Sequence, residues 1–261
     1  MTRIKTAAVA GFFYPDDAAV LRHDVDAYLA GADASDGRQP HALIAPHAGY
    51  RYSGEVAASA YARLKPWAGR VRRVAVFAPS HRVAFRGMAL SSAERFATPL
   101  GEIDVDTASV ARLADLQIAH VRDAAFSEEH ALEVQLPFLQ AVLGEFLLVP
   151  VIVGDADSDE VARAMEALQA DDTLIVVSSD LSHFHSYSDC QTRDQATTAM
   201  IEHLDAKQIG PYDACGAYPI RGLLKTAAHH GWRVETLDLR NSGDTSGDRS
   251  RVVGYGAYAF Y

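Results

Sequence analysis

Residues 174–183 read Leu-Ile-Val-Val-Ser-Ser-Asp-Leu-Ser-His, an apolar run that stops abruptly and is followed by polar side chains. Consecutive aliphatic residues of this kind are typical of a short strand buried on both faces, as in a parallel sheet covered by helices. In open α/β sheets, ligands bind beyond the carboxyl ends of the strands. The stretch therefore predicts a fold class and also the edge of the sheet where Asp180 and His183 would act.

Two other stretches have the same form. Residues 42–45 are apolar and run into Pro-His-Ala-Gly-Tyr, and residues 74–78 run into Pro-Ser-His. His47 and His81 thus follow their strands within a few residues, as His183 does. A lone histidine after a strand is usually a hydrogen-bonded loop residue, but three at equivalent positions favour a shared site. If the strands are parallel neighbours, the three imidazoles and Asp180 converge on one crevice.

Strands and helices alternate along the rest of the chain, which predicts one α/β domain over residues 1–261, with a central, mostly parallel sheet flanked by helices on both faces. The predicted helices are one that starts at Asp16-Asp17, 54–64, 106–116, 129–143 with an interruption at Pro137, 157–169, 192–204 and 220–230. The further predicted strands are 71–79, 146–153, 234–239 and 252–260, with irregular or antiparallel structure at 88–99 and a surface loop at 31–39. Gly254 and Gly256 predict that the last strand is antiparallel or at an edge.

Composition limits the classes of function. The chain has 261 residues, 49% of them hydrophobic, and a formal net charge of −10. A strongly acidic chain disfavours general binding to nucleic acid or to a membrane surface, because both need a basic footprint. No apolar stretch approaches the roughly 18 residues of a membrane span, and the first residues do not form a signal peptide. With only two cysteines, we expect a cytoplasmic protein with reduced thiols.

Two further residues are candidates for the site. Cys215 lies between a turn flanked by Gly and Pro and a predicted helix start, where a thiol pKa is lowered and the thiolate favoured; the alternative is a small buried hydrophobe. His130 follows Glu129 in the first turn of the predicted helix 129–143, which would keep the imidazole neutral and able to donate a hydrogen bond to substrate. A capping or surface histidine is the alternative there. Six further histidines are predicted to lie at the surface or at helix ends: His23, His41, His120, His203, His229 and His230.

The residue types point to metal chemistry. Neutral imidazole is the commonest metal ligand and titrates near neutrality, so it also serves as a base. Two imidazoles with one anionic ligand and open positions are typical of catalytic Fe(II) or Zn sites. Asp180 and Cys215 are both candidates for the anion.

Several motifs in their order along the chain resemble the Memo family. They are Gly-Phe-Phe-Tyr-Pro at 11–15, Ala-Pro-His-Ala-Gly-Tyr at 45–50 with Tyr52-Ser53-Gly54, Pro-Ser-His at 79–81, Glu129-His130 with Glu133 and Leu-Pro-Phe at 136–138, Ser-Ser-Asp-Leu-Ser-His at 178–183, and Cys215-Gly216 with Pro219-Ile220. Any one of these motifs is weak, but their combination, from about residue 8 to residue 225, is specific. The resemblance implies the fold of the class III extradiol ring-cleaving dioxygenases, which use non-haem Fe(II).

The resemblance also implies roles. His47 and His81 would be metal ligands, and Cys215 would replace the carboxylate ligand of the dioxygenases. His183 would match their acid/base histidine, and Asp180 and His130 would line the pocket. Fe(II) is the metal that the resemblance implies, whereas a thiolate makes the site softer and favours Cu or Zn, or a redox role.

The sequence therefore favours a metal-dependent oxidoreductase. One alternative is a non-catalytic module that binds a peptide or another ligand in the same pocket, and another is a Zn-dependent hydrolase. Bacterial and archaeal Memo proteins are named for a system with an AMMECR-type protein and a radical-SAM protein, so the resemblance implies both as partners, besides a small-molecule or peptide ligand.

Overall fold

The structure is a computed structural model that describes residues 2–33 and 37–261. The chain forms twelve strands in these ranges: β1 Ile4–Lys5, β2 Ala42–Ala45, β3 Arg73–Pro79, β4 Met88–Leu90, β5 Arg95–Thr98, β6 Gly101–Asp104, β7 His120–Val121, β8 Leu147–Val153, β9 Thr173–Ser178, β10 His183–His185, β11 Val234–Asn241 and β12 Val252–Phe260. The α-helices in the same ranges are α1 Ala18–Gly31, α2 Tyr50–Tyr61, α3 Thr107–Asp115, α4 Leu136–Leu143, α5 Ser158–Leu168, α6 Tyr187–Glu202, α7 Ala217–His230 and α8 Ser242–Thr245.

The main sheet has the order β10-β12-β2-β9-β3-β8-β4-β7, with β11 also paired to β12. Its centre is parallel: β2 pairs with β9, β9 with β3, and β3 with β8. Antiparallel strands flank this centre, with β12 beside β2 and β4 beside β8. Strands β1, β5 and β6 form a separate small sheet.

The central strands are apolar because helices cover them. β2 and β9 are buried along their whole length, and β3 is buried except at its first residue. Helices α1, α2 and α4 pack on one another, and α5 packs on both α3 and α7. The buried side chains form one contiguous core that reaches both sheets. The predicted α/β architecture, with a sheet flanked by helices, is confirmed.

In helix α1, the local sequence specifies both the N-cap and the face that is buried. Asp17 caps it by accepting hydrogen bonds from the backbone N–H groups of Ala19 and Val20, as the acidic start signal predicts. Leu21, Val25 and Leu29, each four residues from the next, form the buried face of the helix, whereas Val20 is exposed. Of the predicted loop 31–39, Gly31 ends the helix, and residues 34–36 lie outside the described residues.

The last strand lies inside the sheet. β12 is antiparallel to its neighbours, as one alternative predicted, but it is not at an edge, because β2 lies on one side of it and β10 and β11 on the other. Gly254 is required here, because a Cβ at that position would lie 1.7 Å from Oδ2 of the buried Asp194. The glycine therefore reflects a close approach of helix α6.

The predicted helix 129–143 is wrong over its first half. Residues 129–130 have no regular secondary structure, residues 131–132 form a turn, Glu133–Gln135 form a single 3₁₀ turn, and the α-helix begins at Leu136. Pro137 has no N–H, which suits the first turn of a helix rather than its middle. Pro137 therefore marks the start of the helix, and His130 lies outside it.

Candidate metal centre

The carboxyl ends of the parallel strands β2, β9 and β3, which are followed by polar residues, lie at the same edge of the sheet. Ala45 of β2 is level with Ser178 of β9, and Phe77 of β3 is level with Val177. The segments that follow therefore leave the sheet at the same edge. The ring centroids of His47 and His81 lie 5.2 Å apart. The expected convergence of these two residues is found.

His47 is held by Ser178. Its Nδ1 lies 2.8 Å from Ser178 Oγ. The single hydroxyl hydrogen of Ser178 is donated to the carbonyl of Ala131 at 2.6 Å, and the amide of Gln135 donates to the same Oγ at 2.7 Å. Since the serine hydrogen is already used, His47 must donate its Nδ1–H. The lone pair of the neutral ring is therefore on Nε2, the atom that lies 3.3 Å from Cys215 Sγ.

His81 is held in the same way by a carboxylate. Glu129 accepts from the backbone N–H of His81 at 2.6 Å and lies 2.9 Å from His81 Nδ1. Burial alone would raise the pKa of Glu129, but hydrogen bonds from His81 and from the N–H of Ala131 outweigh it and lower the pKa to about 2. An ionised carboxylate only accepts, so His81 Nδ1 donates and its Nε2 is left with the lone pair. Such a partner fixes the tautomer of a metal-binding histidine.

His130 reaches the same place from the turn that precedes α4. Its ring stacks on His81 at 4.8 Å and packs against Phe13 at 4.6 Å. Nδ1 lies 3.3 Å from Glu129 Oε1 but without the geometry of a hydrogen bond, so this buried nitrogen has no partner. Burial and the neighbouring His47 lower the pKa of His130 to about 4. The expectation of a neutral imidazole is retained, but its cause is burial rather than a helix terminus.

The three imidazoles fit a metal ion. One nitrogen from each of His47, His81 and His130 lies within 4.8 Å of the others. Burial, followed by repulsion from His81, lowers the pKa of His47 well below its usual value. Two of the rings have an Nδ1 that is held by a protein acceptor, and the third has an unpartnered buried nitrogen, which are features of histidines that bind metal ions.

Cys215, the third ligand implied by the resemblance, lies at the same edge, just before helix α7, but outside the group of donor atoms within 4.8 Å that His47, His81 and His130 form. Its Sγ lies 3.3 Å from both His47 Nε2 and the backbone nitrogen of Asp180. Gly216 allows this approach, because a Cβ there would lie 2.6 Å from Cβ of Ser179. The predicted thiolate is not what the metal-free site favours, since burial and the nearby Asp180 raise the pKa of Cys215. The helix N-terminus is outweighed, and a bound cation would have to displace the proton.

Asp180 and His183 complete the pocket. Asp180 Oδ1 accepts from the backbone N–H of His47 at 2.8 Å, and its Oδ2 lies 4.0 Å from His47 Nε2. Burial raises the pKa of Asp180, although the bond from His47 works in the opposite direction. His183 Nδ1 donates to the carbonyl of Leu181 at 2.8 Å, which leaves its Nε2 free to accept a proton.

Sequence reasoning missed the groups that orient the ligands. In the sequence, Ser178 looks like an ordinary strand end, and Gln135 and Glu129 look like helix residues. Glu133 is also buried, and it accepts hydrogen bonds from the N–H groups of Ala8 and Val9 and from the hydroxyl of Tyr14. The available signal was the high density of polar residues in 129–135 directly before an apolar helix.

The chain is similar to the members of one family over nearly its whole length. The family model described as "Memo-like protein" matches residues 5–259. The MEMO1 family protein of Aquifex aeolicus (strain VF5) is 32% identical over 266 residues, which cover 97% of each chain. The MEMO1 family protein of Methanosarcina acetivorans is 34% identical over 273 residues, covering 97% of this chain and 98% of that one.

A solved structure is similar in fold. The crystal structure of an uncharacterized protein from Escherichia coli K12 has a TM-score of 0.56 at 14% identity and covers 85% of this chain and 99% of its own. Fold and site together define an α/β protein with the extradiol dioxygenase-like architecture and a histidine-rich, metal-capable centre. The chain belongs to the Memo family.

Among the helices of residues 2–33 and 37–261, none is both long and apolar enough to cross a membrane. Neither Cys190 nor Cys215 forms a disulfide.

Proposed function

We propose that this Memo family protein is a metal-dependent oxidoreductase related to the extradiol ring-cleaving dioxygenases. The observation that supports it most directly is the cluster of His47, His81 and His130, whose nitrogens lie within 4.8 Å of one another. Structural histidines in a core bond to protein acceptors through their available nitrogens. Here Ser178 and Glu129 hold the Nδ1 atoms of His47 and His81, so Nε2 is the remaining nitrogen of each ring, and His47 Nε2 lies 3.3 Å from Cys215 Sγ, itself a proposed ligand.

His47 and His81 would hold the ion with Cys215, whose Sγ lies beside His47 but outside the cluster of three nitrogens and would have to move toward the ion. Three neutral imidazoles carry no negative charge, and a thiolate supplies the anionic ligand that Asp or Glu provides in two-histidine iron sites. Glu129 is already occupied by His81, so it is not the anion. When bound, Fe(II) would supply open coordination positions and one-electron chemistry, and Cu or Zn are the other metals that this donor set suits.

The remaining residues of the site would orient the substrate and transfer protons. His183 accepts a proton at Nε2, because its Nδ1–H is tied to Leu181. His130 is neutral and packed between Phe13 and His81, where it orients a planar substrate. Asp180 is buried and anchors the backbone of His47, so that it holds the polar edge of the pocket in place.

Elemental analysis tests the proposal. Untagged protein purified without chelator should carry iron or copper, consume O₂ with a catechol or a similar small reductant, and lose both properties in His47→Ala. The matched control is His203→Ala, which removes an exposed histidine at the end of α6. Protein that is metal-free and unable to take up Fe(II) would contradict the proposal. Activity lost to chelator and restored by Zn²⁺ alone would favour a hydrolase instead.

A binding module is the second candidate, and exposed aromatic side chains favour it. Phe12 and Phe184 are 89% and 61% exposed, and each is adjacent in sequence to a pocket residue, Phe13 or His183. Such side chains suit a small-molecule or peptide ligand. His183→Ala should abolish turnover and spare ligand binding if the protein is an enzyme. Loss of binding without turnover ever being detected would favour the module.

Partners are proposed on family grounds alone. AMMECR-type and radical-SAM proteins are the candidates in a reducing cytoplasm, and nucleic acid is disfavoured by the net charge of −10. Co-purification of an AMMECR-type protein with the tagged chain from its own cells would test this pairing.

A further inference from the structure

A second cluster of metal-ligating side chains lies at the opposite edge of the sheet. It consists of Glu166 near the end of α5 and the adjacent His229 and His230 at the end of α7. His41, which precedes β2, lies in the same region, because its ring stacks on Trp232 and Trp232 stacks on His230. β2 separates His41 from His47 and is four residues long, roughly 13 Å at the usual strand rise. The two clusters are therefore distinct sites.

The donor atoms of this cluster are already gathered. His229 Nδ1 lies 3.3 Å from Glu166 Oε1, and His230 Nε2 lies 2.8 Å from Glu166 Oε2. All three ligand atoms lie within 4.8 Å of one another. Adjacent residues on a helix diverge by about 100° around the axis, so both rings must turn toward the same carboxylate for this to occur.

The surroundings hold two of the donors in place. Helices α5 and α7 are in close contact at Gly222, where a Cβ would lie only 2.3 Å from Cγ1 of Val161. This contact fixes the helix that carries Glu166 against the helix that carries the histidines. The ring of His230 stacks on Trp232 at 5.3 Å, and Trp232 stacks on His41 at 4.8 Å. A preorganised donor set loses less entropy when it binds an ion.

We propose that Glu166, His229 and His230 form a second metal site, which takes a borderline divalent ion such as Zn²⁺, Cu²⁺ or Ni²⁺ and joins α5 to α7. Two imidazoles and a carboxylate are the ligands such ions prefer. The ring protons that face Glu166 exchange through solvent to the other nitrogen of each ring as the ion enters, so no co-reactant is needed. Water fills the remaining positions, because the side chain of His229 is 74% exposed.

Tryptophan fluorescence gives a local readout. Cu²⁺ quenches indole emission at short range, and Trp232 is in contact with a proposed ligand. In untagged Trp67→Phe protein, which keeps Trp232 as its only tryptophan, Cu²⁺ should quench emission saturably at micromolar concentration. Glu166→Gln with His229→Ala should weaken this quenching at least tenfold.

The controls distinguish this site from the proposed catalytic centre. His47→Ala in the same background should leave the quenching unchanged, as should His203→Ala at an unrelated surface position. Zn²⁺ should also raise the melting temperature of the parent protein more than that of the Glu166→Gln/His229→Ala variant. Quenching that is the same in parent and variant, or that disappears in His47→Ala, would overturn the proposal.

Discussion

At the scale of single residues, three of the imidazoles are oriented by groups that do not themselves belong to the donor set. His47 donates to Ser178, His81 to Glu129, and His183 to a backbone carbonyl. The histidines were predictable because they follow apolar strands. Ser178 and Glu129 were not, because their roles depend on which atoms fold against them from distant segments.

Ser178→Ala tests the role of the serine. The variant removes the acceptor for His47 Nδ1–H, so we expect the ring to lose its fixed tautomer and metal affinity to fall by about 10- to 100-fold. Histidine ¹⁵N spectra of the metal-free protein should show mixed protonation at His47, and a chelator competition should give the affinity.

The matched control is Ser182→Ala, which removes another fully buried serine whose hydroxyl contacts Cys190 rather than a histidine. It should leave the spectrum of His47 and the metal affinity close to those of the parent. Equal effects of the two substitutions would show that Ser178 acts through packing alone.

At the scale of elements, strands were easier to predict than the segment 129–143. β2, β3 and β9 are almost purely apolar, and their parallel pairing followed from that pattern. The side chain of Glu129 instead bonds to its own turn at Ala131 and to the distant His81, which diverts the backbone from a helix until Leu136. Periodicity alone does not reveal that a carboxylate has a distant partner.

The contact between α5 and α7 gives a packing prediction. Gly222→Ala places a methyl group where Val161 already lies, so the two helices must separate, at a cost of about 1–3 kcal/mol in the free energy of unfolding. Val161→Ala in the same chain should recover part of that loss. A double-mutant cycle by urea denaturation measures the coupling, and strictly additive effects would contradict the contact.

Asp106 gives a prediction about pH. It caps α3 through the N–H of Ser109 and pairs with Arg73 of β3. Burial alone would raise its pKa, but the bonds from Ser109 and Arg73 outweigh burial, and the net pKa lies below the usual 3.8.

Because the folded pKa of Asp106 is the lower one, its contribution to stability is complete above pH 3.8 and is lost as the pH falls through the folded value. Asp106→Asn keeps a cap but loses the charge, so it should be less stable than the parent by about 1 kcal/mol at pH 7. The difference should shrink in acid. Urea midpoints at pH 7 and pH 3 would check this, and a constant difference would contradict it.

At the scale of the whole molecule, the fold was predictable because its strands are apolar, helices cover the sheet, and polar residues follow the strands at one edge. The outer strands β4, β7 and β10, the pairing of β11 with β12, and the small sheet β1-β5-β6 were not predictable in this detail. They depend on pairing between segments far apart in sequence, which short-range periodicity does not encode. The cluster of Glu166, His229 and His230 was not predictable from the sequence for the same reason, since Glu166 and His229 meet only when α5 packs on α7.

The account depends on one claim, that the edge beyond β2, β3 and β9 binds a transition metal. Anomalous diffraction from crystals of the intact chain grown with one equivalent of Fe(II) or Zn²⁺ tests it most directly. The account predicts a peak bonded to His47, His81 and Cys215, with His130 beside it. A fully loaded crystal with no peak among these residues would contradict the account.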